Sequence, residues 1–168
     1  KKILIPPLDW GLGHATRCLV IIHDLQKLNC DITIAASGKI KNLLQNEFPN
    51  LTFLDLPGYK ISYSKFKRLL PFKILIQLPK ILKINRFENK WLNQAVKTHK
   101  FNAVISDNRF GLFATNITSV FITHQLQIKT NFFWLDKILQ RLNYNYINRF
   151  SECWVPDFET GLNISGEL

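Results

Sequence analysis

Short runs of β-branched and aliphatic residues alternate along this chain with longer stretches of helical periodicity, and no other feature restricts the fold as much. Ile3-Leu-Ile5, Asp31-Ile-Thr-Ile-Ala-Ala36, Leu51-Thr-Phe-Leu-Asp-Leu56, Asn102-Ala-Val-Ile-Ser-Asp107, Thr118-Ser-Val-Phe-Ile-Thr-His124 and Glu152-Cys-Trp-Val155 read as strands. Between them, residues 14–28 place Cys18, Ile21 or Ile22, Leu25 and Leu28 on one helical face. Residues 39–47 form a short helix, and Trp91, Leu92, Ala95, Val96 and His99 mark another. Thr130 is placed to cap a helix running to about Phe150. Strands this apolar, each followed by a helix, call for a parallel sheet covered on both faces. The expected class is therefore α/β, a Rossmann-like doubly wound parallel sheet. Ligands of such sheets sit beyond the carboxyl ends of the strands.

The composition suits that fold. Of the 168 residues, 46% are hydrophobic and 20% charged, enough to bury a core, which excludes a disordered tail or a disulfide-stapled miniprotein. Apolar runs stay short of the roughly 18 residues that span a bilayer, and no charged-then-apolar signal opens the sequence, so the expected setting is cytoplasmic. Cys18, Cys30 and Cys153 are widely spaced among apolar neighbours and are expected to be buried free thiols. Residues 1–156 are read as one domain. The polar stretch over residues 157–168, containing Gly161-Leu-Asn-Ile-Ser-Gly-Glu-Leu168, is read as the start of a linker to a further domain.

The net charge of +10 is unevenly placed. Eight basic residues and no acidic ones lie between Lys60 and Arg86: Lys60, Lys65, Lys67, Arg68, Lys73, Lys80, Lys83 and Arg86. The same stretch is rich in Leu, Ile and Phe, and on a helix Lys73, Gln77, Lys80 and Lys83 form one stripe, which Pro79 is expected to kink or divide. Two readings stand. One is a core helix with a solvated Lys edge. The other is an interfacial helix on an anionic membrane, with Lys65, Lys67, Arg68, Lys73, Lys80 and Lys83 as contacts, each contributing about 1 kcal/mol near such a surface. Too few aromatics accompany the charge for nucleic-acid binding.

Three strand ends carry residues of catalytic type. After the first comes Pro6-Pro-Leu-Asp-Trp-Gly-Leu-Gly-His14-Ala-Thr-Arg17, where Gly11 and Gly13 allow a sharp turn and a helix start near His14 offers free N–H groups. The fourth ends in Ser106-Asp107-Asn108-Arg109 and the fifth in Thr123-His124-Gln125. A dinucleotide site is disfavoured: the third Gly is missing, and no acidic residue closes the second strand. His14 beside Asp107 would make a base held by a carboxylate. A helix cap or a core hydrogen bond explains either residue alone equally well. His23 and His99 fall within helices and read as structural, while His124 fits either role.

At this point the segments resemble a known family. Lys2-Ile-Leu-Ile-Pro-Pro-Leu-Asp-Trp-Gly-Leu-Gly-His-Ala-Thr-Arg17 is similar to the opening of GT-B glycosyltransferases of the family-28 type, which includes the N-acetylglucosaminyltransferase of the lipid-linked peptidoglycan precursor. Ser106-Asp-Asn-Arg109, Phe121-Ile-Thr-His-Gln125 and Cys153-Trp-Val-Pro-Asp157 are similar to a group of bacterial glycosyltransferases with the same layout. The resemblance implies the amino-terminal, acceptor-binding half of a two-domain enzyme, inactive alone, whose donor domain would follow on the same chain. His14 would be the base and Asp107 its orienting partner. Gly11 and Gly13 would form the acceptor cradle, with Asp9, Arg17, Asn108, Arg109 and His124 also in the cleft. The resemblance implies an inverting transfer from a nucleotide-sugar, UDP-linked, to a lipid-linked or other hydroxyl acceptor in cell-envelope synthesis. It implies no bound cofactor or metal, and a place at the inner face of the cytoplasmic membrane. The rival readings are a nucleotide-sugar 2-epimerase and a non-enzymatic module that binds an anionic lipid or polymer.

Overall fold

The computed structural model describes residues 1–9, 12–58, 70–124, 126–127 and 133–156, with the backbone alone at Leu12 and at residues 70–78. In chain order the elements are β1 (Lys2–Ile5), α1 (Leu12–Lys27), β2 (Asp31–Ala36), α2 (Gly38–Glu47), β3 (Thr52–Asp55), α3 (Leu70–His99), β4 (Ala103–Asp107), β5 (Thr118–Ile122), α4 (Phe133–Ile147) and β6 (Glu152–Trp154). The six strands make one sheet in the order β3-β2-β1-β4-β5-β6, and every pairing is parallel. The doubly wound fold expected from the alternation is therefore present.

Alternation along each strand sends neighbouring side chains to opposite faces. Ile3, Ile5, Ile32, Ile34, Ile105, Val120 and Ile122 bury against Ala15, Cys18 and Ile22 of α1 and Ile40 and Leu44 of α2. Leu4, Ala35 and Val104 face the other way, onto Leu92, Ala95 and Val96 of α3. Phe121 continues that second face, packing with Ile147 of α4 and with Phe150. Two helical layers thus sandwich the sheet, and β1 and β4 are buried at its centre.

Several local expectations need correcting. Pro79 lies inside α3 and does not divide it: the helix runs from Leu70 to His99. Pro79 is on an exposed side, where its ring meets solvent, and a proline removes a single ladder bond from a 30-residue helix. Past it, Asn85, Glu88, Leu92, Ala95 and Val96 form the buried stripe, while Lys80, Lys83 and Arg86 are exposed. That portion of the basic segment is a core helix with a solvated edge. Lys65, Lys67 and Arg68 lie outside the described residues, as do Thr130 and residues 157–168. All three cysteines are free, but only Cys18 is buried. Cys153 sits on β6, the edge strand among the described residues, and is exposed. No described helix is long and apolar enough to cross a membrane.

Candidate active site

The strand order reverses between β1 and β4, the position where a doubly wound sheet opens a crevice at its carboxyl edge. The segment after β1 supplies His14 and Arg17, the end of β4 supplies Asp107, and the segment after β5 supplies His124. These four side chains form one connected cluster. His14 Nδ1 donates to Asp107 Oδ2 at 2.8 Å, and Arg17 Nη1 donates to Asp107 Oδ1 at 2.9 Å. Arg17 Nη2 donates to His124 Nδ1 at 3.3 Å.

The hydrogen-bond inventory fixes the roles. A carboxylate only accepts, so the proton on the His14 ring sits at Nδ1, and the lone pair is left at Nε2. The Asp107 side chain is 1% exposed, whereas those of His14 and Arg17 are 14% and 22% exposed. The carboxylate is thus the sealed base of the cluster, and His14 and Arg17 form its reachable rim. Arginine only donates, so Nδ1 of His124 must be the unprotonated ring nitrogen. Burial, then the charges of Arg17 and His14, push His124 below its ordinary value of 6.5, opposed by Asp107. Cys18 beneath the cluster is held as a thiol: burial first, then Asp107, raises it far above its ordinary range. Among the described residues no group of acids, histidines and cysteines could hold a metal ion.

The Asp107 carboxylate is presented by a tight turn. Ser106 Oγ donates to the carbonyl of Arg109 at 2.8 Å, the Asn108 N–H donates to the Ile122 carbonyl at 3.0 Å, and Asn108 has φ 56°. Asparagine is among the few side chains that adopt this left-handed conformation readily. Helix α1 starts at Leu12, earlier than the sequence suggests, so Gly13 and His14 lie in its first turn. A β-carbon at Gly13 would meet no described atom and its backbone is not left-handed, so neither space nor conformation requires glycine there. Gly11 lies outside the described residues. Asp9 packs against Gly58 in the loop after β3, where a β-carbon would overlap its carboxylate. His23 and His99 pack on the rings of Phe48 and Phe101.

Arg109 is a correction. Expected in the cleft, it is 1% exposed and turned beneath the sheet edge. Its Nε donates to Glu88 Oε1 at 2.7 Å, Nη2 to the Pro57 carbonyl at 2.7 Å and Nη1 to the Pro7 carbonyl at 3.4 Å. Glu88 Oε2 also accepts from the Gly111 N–H at 3.1 Å. One guanidinium therefore ties together α3 and the loops after β1, β3 and β4, because a charge this buried must be paired. Glu88 was not among the candidates, although a lone carboxylate in the inward stripe with Leu92, Ala95 and Val96 signals a buried cationic partner. Beside Arg17, an apolar hollow of about 360 Å³ is lined by Val20, Ile21, Ile122, Trp154, Val155 and Pro156.

No protein-family model matches the chain, and no curated protein does. Solved structures match it throughout. MurG of Acinetobacter baumannii superposes with a TM-score of 0.50 and 14% identity, over 96% of this chain and 42% of MurG. UGT89C1 of Arabidopsis thaliana, complexed with UDP, gives 0.58 and 15% over 94% of this chain and 46% of its own. The glycosyltransferase VinC, in complex with dTDP, gives 0.51 and 12% over 88% and 38%. The chain has the fold of one half of a GT-B glycosyltransferase. It spans less than half the length of each of these three proteins.

Proposed function

We propose that the chain is the amino-terminal, acceptor-holding half of a nucleotide-sugar-dependent glycosyltransferase, with His14 as general base and Asp107 as its orienting partner. The observation that carries this reading is the 2.8 Å bond from His14 Nδ1 to a sealed carboxylate at the switch point of the sheet. It leaves Nε2 as the proton acceptor of a ring that is partly exposed. An acceptor hydroxyl bonded to Nε2 would lose its proton there as its oxygen attacks the anomeric carbon and the nucleoside diphosphate departs. The imidazolium so formed would be stabilised by Asp107. Arg17 holds the second carboxylate oxygen and keeps Asp107 aimed at His14. UGT89C1 complexed with UDP and VinC in complex with dTDP support a nucleoside diphosphate sugar as donor. The hollow beside Arg17 suits an acceptor that carries an apolar group.

A lipid-linked acceptor and a peripheral membrane setting belong to the same proposal. Their support is the basic, greasy stretch from Lys60 to Arg86. Two experiments test the reading. The full-length protein should transfer sugar from a nucleoside diphosphate donor only when an acceptor is supplied; nucleotide release without acceptor would replace transfer by an epimerase-type reaction. It should also co-sediment with vesicles containing anionic lipid and not with neutral ones, less so as salt shortens the Debye length from about 10 Å at 0.1 M. Replacing Lys65, Lys67, Arg68 and Lys73 by Gln should abolish most of that binding. Equal partition onto both vesicle types would remove the lipid-surface part of the proposal.

A further inference from the structure

Away from the His14 cluster, on the opposite face of the sheet, α3 and α4 leave a cavity of about 320 Å³ between them. Its lining is Leu82, Asn85, Arg86, Asn89, Lys90 and Phe113, with Tyr146 and Arg149 from the α4 side. Three of these are cations and none is an acid. Arg86 and Lys90 are four residues apart on α3, a like-charge spacing that weakens a helix by a few tenths of a kcal/mol. Among the described residues, none of the three cations belongs to an ion pair. Helix stability thus gains nothing from this arrangement.

The cavity is nevertheless ordered around those charges. The Arg149 guanidinium lies over two rings, 4.7 Å from the centre of Tyr146 and 5.3 Å from that of Phe113. Such contacts hold a guanidinium in place while leaving its N–H edge able to donate. Asn89 Nδ2 is engaged by the Phe113 carbonyl at 2.8 Å and the Gly111 carbonyl at 3.3 Å, which fixes α3 to the loop after β4. Asn85 is buried and forms part of the wall, while Arg86, Lys90 and Arg149 are exposed at the rim. The result is a hollow with a neutral polar and aromatic floor and a cationic mouth, at the small end of the range for ligand pockets.

We propose that this α3–α4 cavity is a phosphate-group site, in which Arg86, Lys90 and Arg149 together hold one phosphomonoester or diphosphate. A planar guanidinium pinned on aromatic faces, in a cavity that a lysine also lines, matches the fork-and-point-charge pattern by which proteins hold phosphate. The site shares no residue with the His14 cluster, so it stands whether or not sugar transfer is the activity. The phosphate could belong to a soluble ligand or to a lipid headgroup, and the two sources differ in what competes for it.

The test is calorimetric titration of the full-length protein with inorganic pyrophosphate, in which the cavity variants separate this site from any nucleotide site. Arg149→Gln and the double change Arg86→Gln with Lys90→Gln are compared with a control, Lys27→Gln with Lys97→Gln, on exposed helix ends. Saturable binding weakened about tenfold or more by either cavity variant, and unchanged in the control, is the expected result, since a charge-assisted bond is involved in each case. Thermal melts confirm that the variants are folded; should Arg149→Gln melt early, the exposed Arg86/Lys90 pair carries the decision. Vesicles of phosphatidic acid that compete with pyrophosphate would assign the site to a headgroup, and failure to compete would assign it to a soluble phosphate. Pyrophosphate binding equal in all variants, or no saturable binding, overturns the proposal.

Discussion

Asp107 and Arg109 stand two residues apart at the end of β4, and each is half of an ion pair, yet the two pairs differ in what remains available. Around Asp107, the partners His14 and Arg17 are partly open, and the His14 ring keeps one nitrogen uncommitted to the carboxylate. Around Arg109, both partners are sealed, at 1% and 0% exposure, and the guanidinium is further bonded to two backbone carbonyls. The first arrangement can take a proton from something outside. The second fastens three loops to α3 and reacts with nothing. Residue type and closeness to the sheet edge do not separate the two; the exposure of the second partner does.

The contrast can be broken most forcefully at His14. On the proposed mechanism, His14→Ala should lower the rate of sugar transfer by the full-length protein roughly 10²- to 10⁴-fold at unchanged melting temperature. A normal rate would take His14 out of the reaction. Glu88→Ala should do the reverse, destabilising the fold by about 3–5 kcal/mol because it strands a buried guanidinium. The pair replacement Glu88→Leu with Arg109→Met should regain most of that loss, as denaturant melts would report. If Glu88→Ala melts like the parent, the sealed pair is not the fastening described here. Asp107→Asn should slow transfer by less than His14→Ala, since it removes an orienting charge and leaves the base in place. An equal or larger loss would mean that Asp107 itself contacts the reacting groups.

The smallest effect concerns pH. His124 is held below 6.5 in the folded protein, so between that lowered value and 6.5 the unfolded chain binds the extra proton. Stability from this residue is therefore complete above 6.5 and declines as pH falls through that window. His124→Gln should flatten the melting temperature against pH there by a small amount. An unchanged slope would mean that burial, with the charges of Arg17 and His14, does not hold His124 neutral.

Much of this was readable from residue order, for physical reasons that differ by region. Strand β2 is legible to the residue, Asp31–Ala36, because a buried parallel strand must be apolar on both faces and turns bound it. His14 and Asp107 come together because strand ends at a topological switch point are neighbours in space. The fate of Arg109 was not legible. It depends on the left-handed φ at Asn108, which turns the chain once more after Asp107, and on Glu88, 21 residues earlier in α3. Nor does sequence spacing report whether a proline ends a long helix, since that depends on whether the ring faces solvent.

The pairing of β1 with β4, in which Ile3 lies beside Ala103, has a consequence for how the molecule comes into being. Strands β1 and β2 with α1 form a local unit that places His14 early. Asp107 arrives only after the intervening chain has closed, and closure of so long a loop is slow even though each doubling of length adds only about 0.6 kcal/mol. A chain still emerging from the ribosome would carry an imidazole without its carboxylate. The His14–Asp107 contact thus forms only once β1 and β4 are side by side, and its appearance would report that closure of the sheet's centre.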